Sequence, residues 1–533
     1  MALNGKNLIA GQLSSLGTKQ IFAFDPKKGE RLPTPYIEAT DQEIEHAMTA
    51  AERAFAVLRD SSVETISALL ENIASEIESL GDELIDMAAQ ESGLPAPRLT
   101  GERARTAGQL RLFGSVIREG SFVDARIDTA LPDRKPLPRP DLRRMLIPTG
   151  PVVVFGASNF PLAFSVAGGD TASALAAKNP VVVKAHPAHP GTSELVGSAI
   201  TRAVQKTGLP AGTFSMLHGV DPAVSIKLVR HPATRAVAFT GSERAGRAIF
   251  DAAAQRPHPI PAYVEMGSNN PIFVLPGAIT GSPDSFAQGL FGSINLGVGQ
   301  FCTSPGVIVG QDGDAFRTFK ERLADSFKNA APATMLHPGI LTGYSQNVEA
   351  RGKINGISAV HSSQEADVSK TEALPVLFDT DATTWLGQRE LATEIFGPSA
   401  VLVRWQSKED LLRIASEWDG TLTASVFGTA QDLKEFRDLI KILEMKAGRV
   451  LFNSFPTGVE VSHAMHHGGP YPATADAKFT SVGTAAILRF LRPVCYQNFP
   501  EEALPVELRN ENKRQIWRML NGQITREDVK AAG

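Results

Sequence analysis

Pro151-Val152-Val153-Val154-Phe155 opens the part of the chain from which the fold can be deduced. A short, wholly apolar run is typical of a strand buried on both faces of a sheet. Strands and helices then alternate, and the pattern predicts helices at about 161–177, 192–206, 221–230 and from 242, with strands at 181–183, 213–217 and 236–239. This alternation indicates right-handed crossovers and a parallel sheet, which binds ligands at the carboxyl ends of its strands. We expect a Rossmann-like dinucleotide-binding unit.

Different patterns flank this unit. A second α/β unit is predicted from about 263 to 480. The segment at about 120–146 holds several prolines among Asp and Arg residues, which indicates a connector or an edge hairpin used in assembly. The tail from 501 is polar and charged, and a short helix is predicted at about 510–520.

Composition excludes several classes of protein. A net charge of −4 leaves no basic surface of the kind that nucleic-acid binding needs. No apolar run approaches the roughly 20 residues that span a bilayer, and the start of the chain lacks a signal-peptide pattern. Two cysteines in 533 residues, Cys302 and Cys495, cannot form a disulfide framework. We therefore expect a cytoplasmic protein without nucleic-acid or membrane partners.

Cys302 is the candidate nucleophile. It lies in the stretch Asn295-Leu296-Gly297-Val298-Gly299-Gln300-Phe301-Cys302-Thr303-Ser304-Pro305. The two glycines before it allow unusual dihedral angles and close backbone approach, and a thiolate is a strong nucleophile if its surroundings lower its pKa. Alternatively, Cys302 is a small buried hydrophobic residue.

Three other positions suit chemistry at strand ends. Gly241 follows a predicted strand and precedes a helix whose free N–H groups suit a pyrophosphate, although a plain turn also explains it and the G-x-G-x-x-G fingerprint is absent. Glu265 can act as a general base or be an ion-paired surface residue. Asn159 can donate to an oxyanion or cap the following helix.

Five short motifs occur in the order found in the aldehyde dehydrogenase superfamily. They are Asn159-Phe160-Pro161-Leu162, Phe239-Thr240-Gly241-Ser242, Glu265-Met266-Gly267-Ser268, Gly299-Gln300-Phe301-Cys302 and Glu394-Ile395-Phe396-Gly397-Pro398. The chain resembles this family from about residue 10 to 490. Three features depart from its usual pattern: Met266 and Ser268 in the Glu265 motif, Ser158 in place of a common Trp, and no Arg soon after Cys302.

The resemblance implies a mechanism. Cys302 would attack an aldehyde, with the oxyanion held by the Asn159 amide and the Cys302 backbone N–H. Hydride would pass to nicotinamide, and Glu265 would activate water to hydrolyse the resulting thioester. The implied cofactor contacts are Lys184 and His186 near the adenosine ribose, Gly241 and Ser242 at the pyrophosphate, and Glu394 and Phe396 at the nicotinamide riboside.

The resemblance also implies a domain plan and an oligomer. We expect a cofactor-binding domain at 1–126 and 147–262, and a catalytic domain at 263–480. An oligomerisation arm at 127–146 and 481–500 would build a homodimer or homotetramer, and 501–533 would be a C-terminal extension.

The loop after Lys184 bears on the choice of cofactor. Family members that prefer NAD often carry an acidic residue three positions after this Lys, where this chain has Pro187. Without an acidic group to repel a 2′-phosphate, and with Lys184 and His186 to attract it, we predict NADP, with NAD possible.

The same loop and Gly11-Gln12 resemble one branch of the family. That branch includes α-ketoglutaric semialdehyde (2,5-dioxopentanoate) dehydrogenases and an NADP-linked fatty aldehyde dehydrogenase. A keto-acid substrate needs a cation in the tunnel, for which Arg103, Arg105 and Arg111 are candidates and Arg105 is selected. Phe160, Phe164 and Phe455 are predicted to line the tunnel, and each also suits a core.

Other interpretations stay open at this stage. His463, His466 and His467 have spacing that suits a metal site on a helix, but the glycines after them indicate a loop, so no metal is predicted. A thiol hydrolase that uses Cys302 and Glu265 without nicotinamide is an alternative enzyme class. An acylating dehydrogenase and a non-catalytic binding protein are further alternatives.

Overall fold

The computed structural model describes residues 3–279 and 283–530. The N-terminal region combines short strands with long helices that pack over the first sheet. Its strands are β1 (Asn7–Ile9), β2 (Gln12–Ser14), β3 (Gln20–Asp25) and β4 (Glu30–Ile37). Its helices are α1 (Asp41–Asp60), α2 (Val63–Ser79), α3 (Gly81–Ser92) and α4 (Ala96–Glu119), followed by strands β5 (Arg126–Asp128) and β6 (Leu142–Pro148).

The first α/β unit builds a mostly parallel sheet in the order β11-β10-β7-β8-β9-β1-β2, in which β1 runs antiparallel to β9. Its elements are β7 (Val152–Phe155), α5 (Gly169–Ala176), β8 (Val181–Lys184), α6 (Pro190–Thr207), β9 (Phe214–Leu217), α7 (Pro222–Arg230), β10 (Ala236–Thr240), α8 (Glu243–Ala254) and β11 (Ala262–Glu265). The side chains of β7 alternate between two hydrophobic cores. Val152 and Val154 pack on one face of the sheet, and Val153 and Phe155 pack on the other. The predicted burial of this strand on both faces is confirmed.

The helix expected at 161–177 is shorter than predicted. Only Gly169–Ala176 is helical, and the residues before it form turns. A buried carboxylate on α4 holds the start of this segment: Glu102 Oε1 accepts hydrogen bonds from the backbone N–H groups of Leu162 and Ala163, at 2.8 and 3.0 Å. These contacts tie the segment after β7 to α4.

The second unit forms another sheet in the order β15-β17-β18-β13-β12-β19-β20, parallel except for the edge strand β15. Its strands are β12 (Asn270–Val274), β13 (Pro305–Gln311), β14 (Ala333–Thr334), β15 (Ser358–His361), β16 (Glu372–Ala373), β17 (Val376–Asp381), β18 (Ser399–Trp405), β19 (Thr421–Phe427) and β20 (Ala447–Phe452). Its helices are α9 (Pro283–Asn295), α10 (Asp314–Lys328), α11 (Pro338–Gly352), α12 (Ala382–Gly387), α13 (Lys408–Glu417), α14 (Ala430–Glu435) and α15 (Arg437–Lys446). The chain passes from the first sheet to the second between Glu265 and Asn270.

The arm and the tail share a third sheet. Its last strands are β21 (Leu491–Gln497), β22 (Arg518–Leu520) and β23 (Gln523–Thr525), and the order is β21-β6-β5-β22-β23. The helix predicted at about 510–520 is therefore wrong. The tail is drawn into the sheet because Leu508 and Ile516 are buried against the arm residues Ile127 and Met145.

The predicted fold class is confirmed: the chain contains two α/β units with parallel sheets and a separate strand-built arm. The assignment of domains by function stays a prediction. Across residues 3–279 and 283–530, no helix combines the length and apolar character required to cross a membrane.

Candidate active site

A strained loop between α9 and β13 carries Cys302. Gly297, Val298 and Gly299 all have positive φ, at +59°, +59° and +66°. This conformation is costly for a β-branched residue such as Val298. A Cβ on Gly299 would lie 2.2 Å from the Gly397 carbonyl oxygen. Glycine is therefore required where the Cys302 loop touches the loop that carries Glu394.

Asn270, the first residue of β12, fixes the backbone around Cys302. Its Nδ2 donates to the carbonyl oxygens of Cys302 and Ser304, at 2.9 and 3.0 Å. Its Oδ1 accepts from the backbone N–H and hydroxyl of Thr423, at 3.1 and 3.0 Å. The nucleophile loop is thereby tied to the second sheet by a buried amide that sequence reasoning missed.

The ionisable side chains of Cys302, His467 and Glu265 lie close together. Cys302 Sγ lies 3.4 Å from His467 Nε2, which lies 3.0 Å from Glu265 Oε1. Glu265 Oε2 accepts a hydrogen bond from Ser481. Glu265 and His467 are buried, at 3% and 1% exposed, and Cys302 is partly buried. The structure thus brings together the predicted nucleophile and base, and adds a histidine between them.

Electrostatics set the resting proton arrangement of this group. Burial raises the pKa of Cys302 well above its ordinary value, and the Glu265 carboxylate raises it further. Burial alone would also raise the pKa of Glu265, but His467, Ser481 and Cys302 outweigh it and lower that pKa below its ordinary value. The resting state near neutral pH is therefore a thiol beside a carboxylate.

His467 is the functional residue that sequence reasoning failed to select. The stretch 463–467 lies outside helices and strands, as predicted. His463 is exposed, with Nδ1 3.3 Å from the Thr484 hydroxyl, whereas His467 reaches inward and its backbone N–H donates to Thr480 Oγ1 at 2.8 Å. In the sequence, the one sign that His467 packs closely against other parts of the chain is its position just before two glycines.

Asn159 reaches the Cys302 loop from the first sheet. It lies just after β7, and its Nδ2 donates to the Gln300 carbonyl oxygen at 3.0 Å. A primary amide has two N–H bonds, so the other can serve an oxyanion. The Asn159 carbonyl oxygen accepts from Arg98 Nη2 at 2.7 Å. Arg98, on α4, was not selected from the sequence, although its i, i+7 spacing to Arg105 places both on one helix face.

Arg105 lies beside the predicted tunnel. Its guanidinium is 5.7 Å from the centre of the Phe164 ring, and its Nη1 donates to the Val459 carbonyl oxygen. Its Nε is buried without a hydrogen-bond partner among the described residues. The other two arginines are committed elsewhere, Arg103 to the Gly81 carbonyl oxygen and Arg111 to the surface carboxylates of Glu71 and Glu78.

Aromatic rings line the approach to the nucleophile loop. Phe160 packs 5.2 Å from both Phe164 and Phe301, and Phe164 lies 6.3 Å from His467. Phe455 lies apart from this ring cluster: its ring contacts Phe286 and Phe427, at 5.8 and 4.9 Å, and packs partly buried against a core of the second sheet. Its role in binding substrate stays a prediction.

The predicted cofactor residues lie at strand ends of the first sheet. Lys184 ends β8, and burial lowers its pKa to about 8. No hydrogen bond or ion pair of its ammonium to another described residue is found, so it fits a hydroxyl-rich or anionic group. Gly241 follows β10, and Ser242 caps α8, accepting from the Ala245 N–H at 3.4 Å. His186 stacks on His189, 5.5 Å away, and burial lowers the pKa of His186 well below its ordinary value.

Glu394 and Phe396 lie on the loop before β18. Burial raises the pKa of Glu394 to about 8, so its carboxyl group can donate as well as accept near neutral pH. A Cβ on Gly267 would lie 2.3 Å from Glu394 Oε2, which explains the retained glycine of the Glu265 motif. The departure at Ser268 is accommodated because its hydroxyl bonds Asn270 Oδ1 and Thr421 Oγ1, at 2.9 and 2.8 Å. Phe396 is partly exposed.

We predict that alkylation of Cys302 accelerates with pH and does not level off between about pH 7 and pH 9, because a raised pKa leaves little thiolate there. Glu265→Gln removes the neighbouring negative charge, lowers the pKa of Cys302 and should speed alkylation several-fold at about pH 8. The measurement is the iodoacetamide rate in a Cys495→Ser background, with His463→Gln as the control. A rate that levels off below about pH 8 in the unmodified site would contradict this electrostatic account.

Gly299→Ala should reduce kcat/KM for aldehyde oxidation on the order of 100-fold, because its methyl group collides with Gly397 and displaces Cys302. Gly292→Ala on α9 is the matched control. Its added Cβ meets nothing within 4 Å, so activity should be unchanged. Steady-state kinetics on both variants check this, and equal activity would show that the close approach of the two loops is unimportant.

Comparisons with known proteins identify the family of this chain. The model of the Aldehyde dehydrogenase family matches residues 14–471. The chain is 47% identical to alpha-ketoglutaric semialdehyde dehydrogenase 2 of Azospirillum brasilense, covering 98% of this chain and 100% of the relative. It is 46% identical to alpha-ketoglutaric semialdehyde dehydrogenase of Acinetobacter baylyi, covering 98% and 99%.

Solved structures share the fold. A Thermus 1-pyrroline-5-carboxylate dehydrogenase with bound NAD has a TM-score of 0.77 at 22% identity, covering 92% of each chain. A Staphylococcus aureus betaine aldehyde dehydrogenase variant in complex with NAD⁺ has a TM-score of 0.79 at 18% identity, covering 95% of this chain and 99% of the other. This chain therefore belongs to the aldehyde dehydrogenase family, whose members are NAD(P)-dependent enzymes that oxidise aldehydes to carboxylic acids.

Proposed function

We propose that this enzyme oxidises α-ketoglutaric semialdehyde (2,5-dioxopentanoate) to 2-oxoglutarate with NADP as the acceptor. The observation that carries the substrate assignment is Arg105, a partly buried cation beside Phe164 whose Nε is buried and lacks a partner among the described residues. The relatives with 46–47% identity carry the name of this activity. A substrate with a carboxylate supplies an acceptor for this Nε.

In the first half of the reaction, Cys302 Sγ attacks the aldehyde carbon. The thiol proton leaves toward the Glu265 carboxylate, the acceptor beside it. Negative charge develops on the former carbonyl oxygen, where the free N–H of the Asn159 amide and the Cys302 backbone N–H stabilise it. Arg98 and Gln300 orient Asn159 for this role.

Lys184, His186, Gly241, Ser242, Glu394 and Phe396 would hold the cofactor. Bound NADP would supply a hydride acceptor, so that oxidation of the tetrahedral carbon on Cys302 gives a thioester. Lys184 and Glu394 fit ribose hydroxyls, since the Lys184 ammonium has no partner among the described residues and the Glu394 carboxyl group can donate and accept. The helix N-terminus after Ser242 suits the pyrophosphate.

In the second half, Glu265 removes a proton from the water that attacks the thioester. Its lowered pKa keeps it ionised and ready to act as a base. The hydrogen bonds from His467 and Ser481 hold its two oxygens in place. Hydrolysis releases the acid and returns Cys302 to the thiol form. The presence of an ionised base that can activate water favours this outcome over transfer to coenzyme A.

NADP is favoured over NAD by the loop after β8. Pro187 brings no negative charge to the adenosine ribose. His186 Nδ1 accepts from the Ala188 N–H at 3.2 Å, so in the neutral ring the proton lies on Nε2 and can be donated to a 2′-phosphate. Together with Lys184, this makes the loop suitable for a phosphate, while NAD remains a weaker ligand in this proposal.

A long-chain aldehyde is the second candidate substrate. The cluster of Phe160, Phe164 and Phe301 favours it, because an aliphatic chain gains by burial against these rings. A hydrolase that uses no nicotinamide, considered from the sequence, has no support in the family match.

We also propose a cytoplasmic homodimer or homotetramer assembled through the arm. Strand β20 is an edge strand of the second sheet with Val450 and Phe452 exposed, and β21 is an edge strand of the arm sheet. Unpaired strand edges that carry apolar side chains favour pairing with another chain.

The proposal predicts that kcat/KM for α-ketoglutaric semialdehyde with NADP exceeds the values for succinic semialdehyde, for a long-chain aldehyde and for NAD. Arg105→Met should lower kcat/KM for the keto semialdehyde by about 10–100-fold, since a charge-assisted hydrogen bond contributes about 1.5–3 kcal/mol. The same variant should change the rate with the long-chain aldehyde little. Steady-state formation of NADPH measures each rate.

Arg111→Gln is the matched control, because Arg111 lies on the same helix but pairs with surface carboxylates. It should leave all rates unchanged. A preference for the long-chain aldehyde that Arg105→Met does not alter would overturn the keto-acid assignment in favour of the second candidate.

A further inference from the structure

The catalytic cluster has the composition of a zinc site. Cys302, His467 and Glu265 supply a sulfur, an imidazole nitrogen and a carboxylate oxygen, and these ligand atoms all lie within 4.8 Å of one another. Thiolate, imidazole and carboxylate are the ligands that Zn²⁺ takes in proteins, and three protein ligands with one open position is the usual arrangement of an accessible site.

The distances between the atoms match such a site. With Zn–S about 2.3 Å and Zn–N or Zn–O about 2.1 Å, tetrahedral geometry places sulfur and nitrogen about 3.6 Å apart, and nitrogen and oxygen about 3.4 Å apart. The observed separations are 3.4 Å for Cys302 Sγ to His467 Nε2 and 3.0 Å for His467 Nε2 to Glu265 Oε1. The third pair, Cys302 Sγ and the Glu265 oxygen, lies within 4.8 Å, so the two groups can close around the ion by small side-chain movements.

The ligands are already held in place by contacts that do not involve the metal-facing atoms. Glu265 is fixed through Oε2 by Ser481, and the His467 backbone N–H donates to Thr480. Asn270 fixes the Cys302 carbonyl oxygen. Because these groups are ordered before binding, the ion meets a prepared site.

Charge balance also favours the ion. Binding converts the Cys302 thiol to a thiolate with release of one proton to solvent, and the thiolate and the Glu265 carboxylate together neutralise Zn²⁺. No redox step is involved. Without the ion, a Cys302 thiolate and the Glu265 carboxylate would be two negative charges side by side. This repulsion is one cause of the raised pKa of Cys302.

We propose that Zn²⁺ binds to Cys302, Glu265 and His467 and reversibly inhibits the enzyme. This inference rests on the proposed function, because one ion would occupy both the nucleophile and the base. Aldehyde and zinc would compete for the same sulfur. Zinc binding at this site requires His467, whereas simple reaction of a metal with an exposed thiol does not.

The test begins with the full-length protein after treatment with EDTA. Zinc is titrated against a chromogenic chelator, and formation of NADPH is followed in parallel. The proposal predicts one Zn²⁺ per chain, inhibition competitive with aldehyde, recovery after EDTA, and protection of Cys302 from iodoacetamide. Cys302→Ala, His467→Leu and Glu265→Gln should each weaken zinc binding by more than about 100-fold, since removing a group that only orients a ligand already costs about 10–100-fold.

His463→Gln and Cys495→Ser are the matched controls, the first an exposed histidine of the same loop and the second the other cysteine. Both should keep the zinc affinity and the inhibition. Unchanged zinc affinity in Cys302→Ala or His467→Leu would overturn the site. If zinc-free enzyme oxidises aldehydes but does not bind zinc at these residues, the inference fails and the proposed function stands. If zinc binds as predicted and no aldehyde is oxidised, the site stands and the proposed function fails.

Discussion

A buried carboxylate beside a buried thiol is the constraint on which the site depends. An ionised carboxylate is costly to bury unless hydrogen bonds satisfy it. Glu265 meets this requirement with His467 on one oxygen and Ser481 on the other. The same charge keeps Cys302 protonated at rest, so the nucleophile is restrained until substrate and cofactor change its surroundings. Its reactivity is set by its neighbours rather than by the thiol alone.

The geometry of the two sheets explains how these groups meet. Glu265 ends a strand of the first sheet, and Asn159 follows another. Asn270 starts a strand of the second sheet and holds the Cys302 loop. Helix α4 adds a polar face whose Arg98 and Glu102 fix the segment after β7. The strained backbone of Val298 is tolerated because these contacts hold the Cys302 loop in place from both sheets.

The order of the motifs was enough to predict the fold, and it singled out Cys302, Glu265 and Asn159, whose segments the structure brings together. His467, Arg98 and Asn270 were missed because their roles depend on contacts between residues far apart in the chain. The role of Phe455 could not be decided from the sequence, because an apolar residue fits a tunnel and a core equally well. The tail was misassigned because its apolar residues are sparse and gain burial only against the arm.

The central claim is that Cys302 carries a thioester that Glu265 hydrolyses. The most direct measurement is rapid mixing of Glu265→Gln with α-ketoglutaric semialdehyde and NADP, followed by mass analysis of the trapped protein. The account predicts a burst of one NADPH per chain, slow turnover afterwards, and an acyl group on Cys302 that the unmodified enzyme does not accumulate. Fast steady turnover without a burst, or an acyl group on another residue, would contradict it.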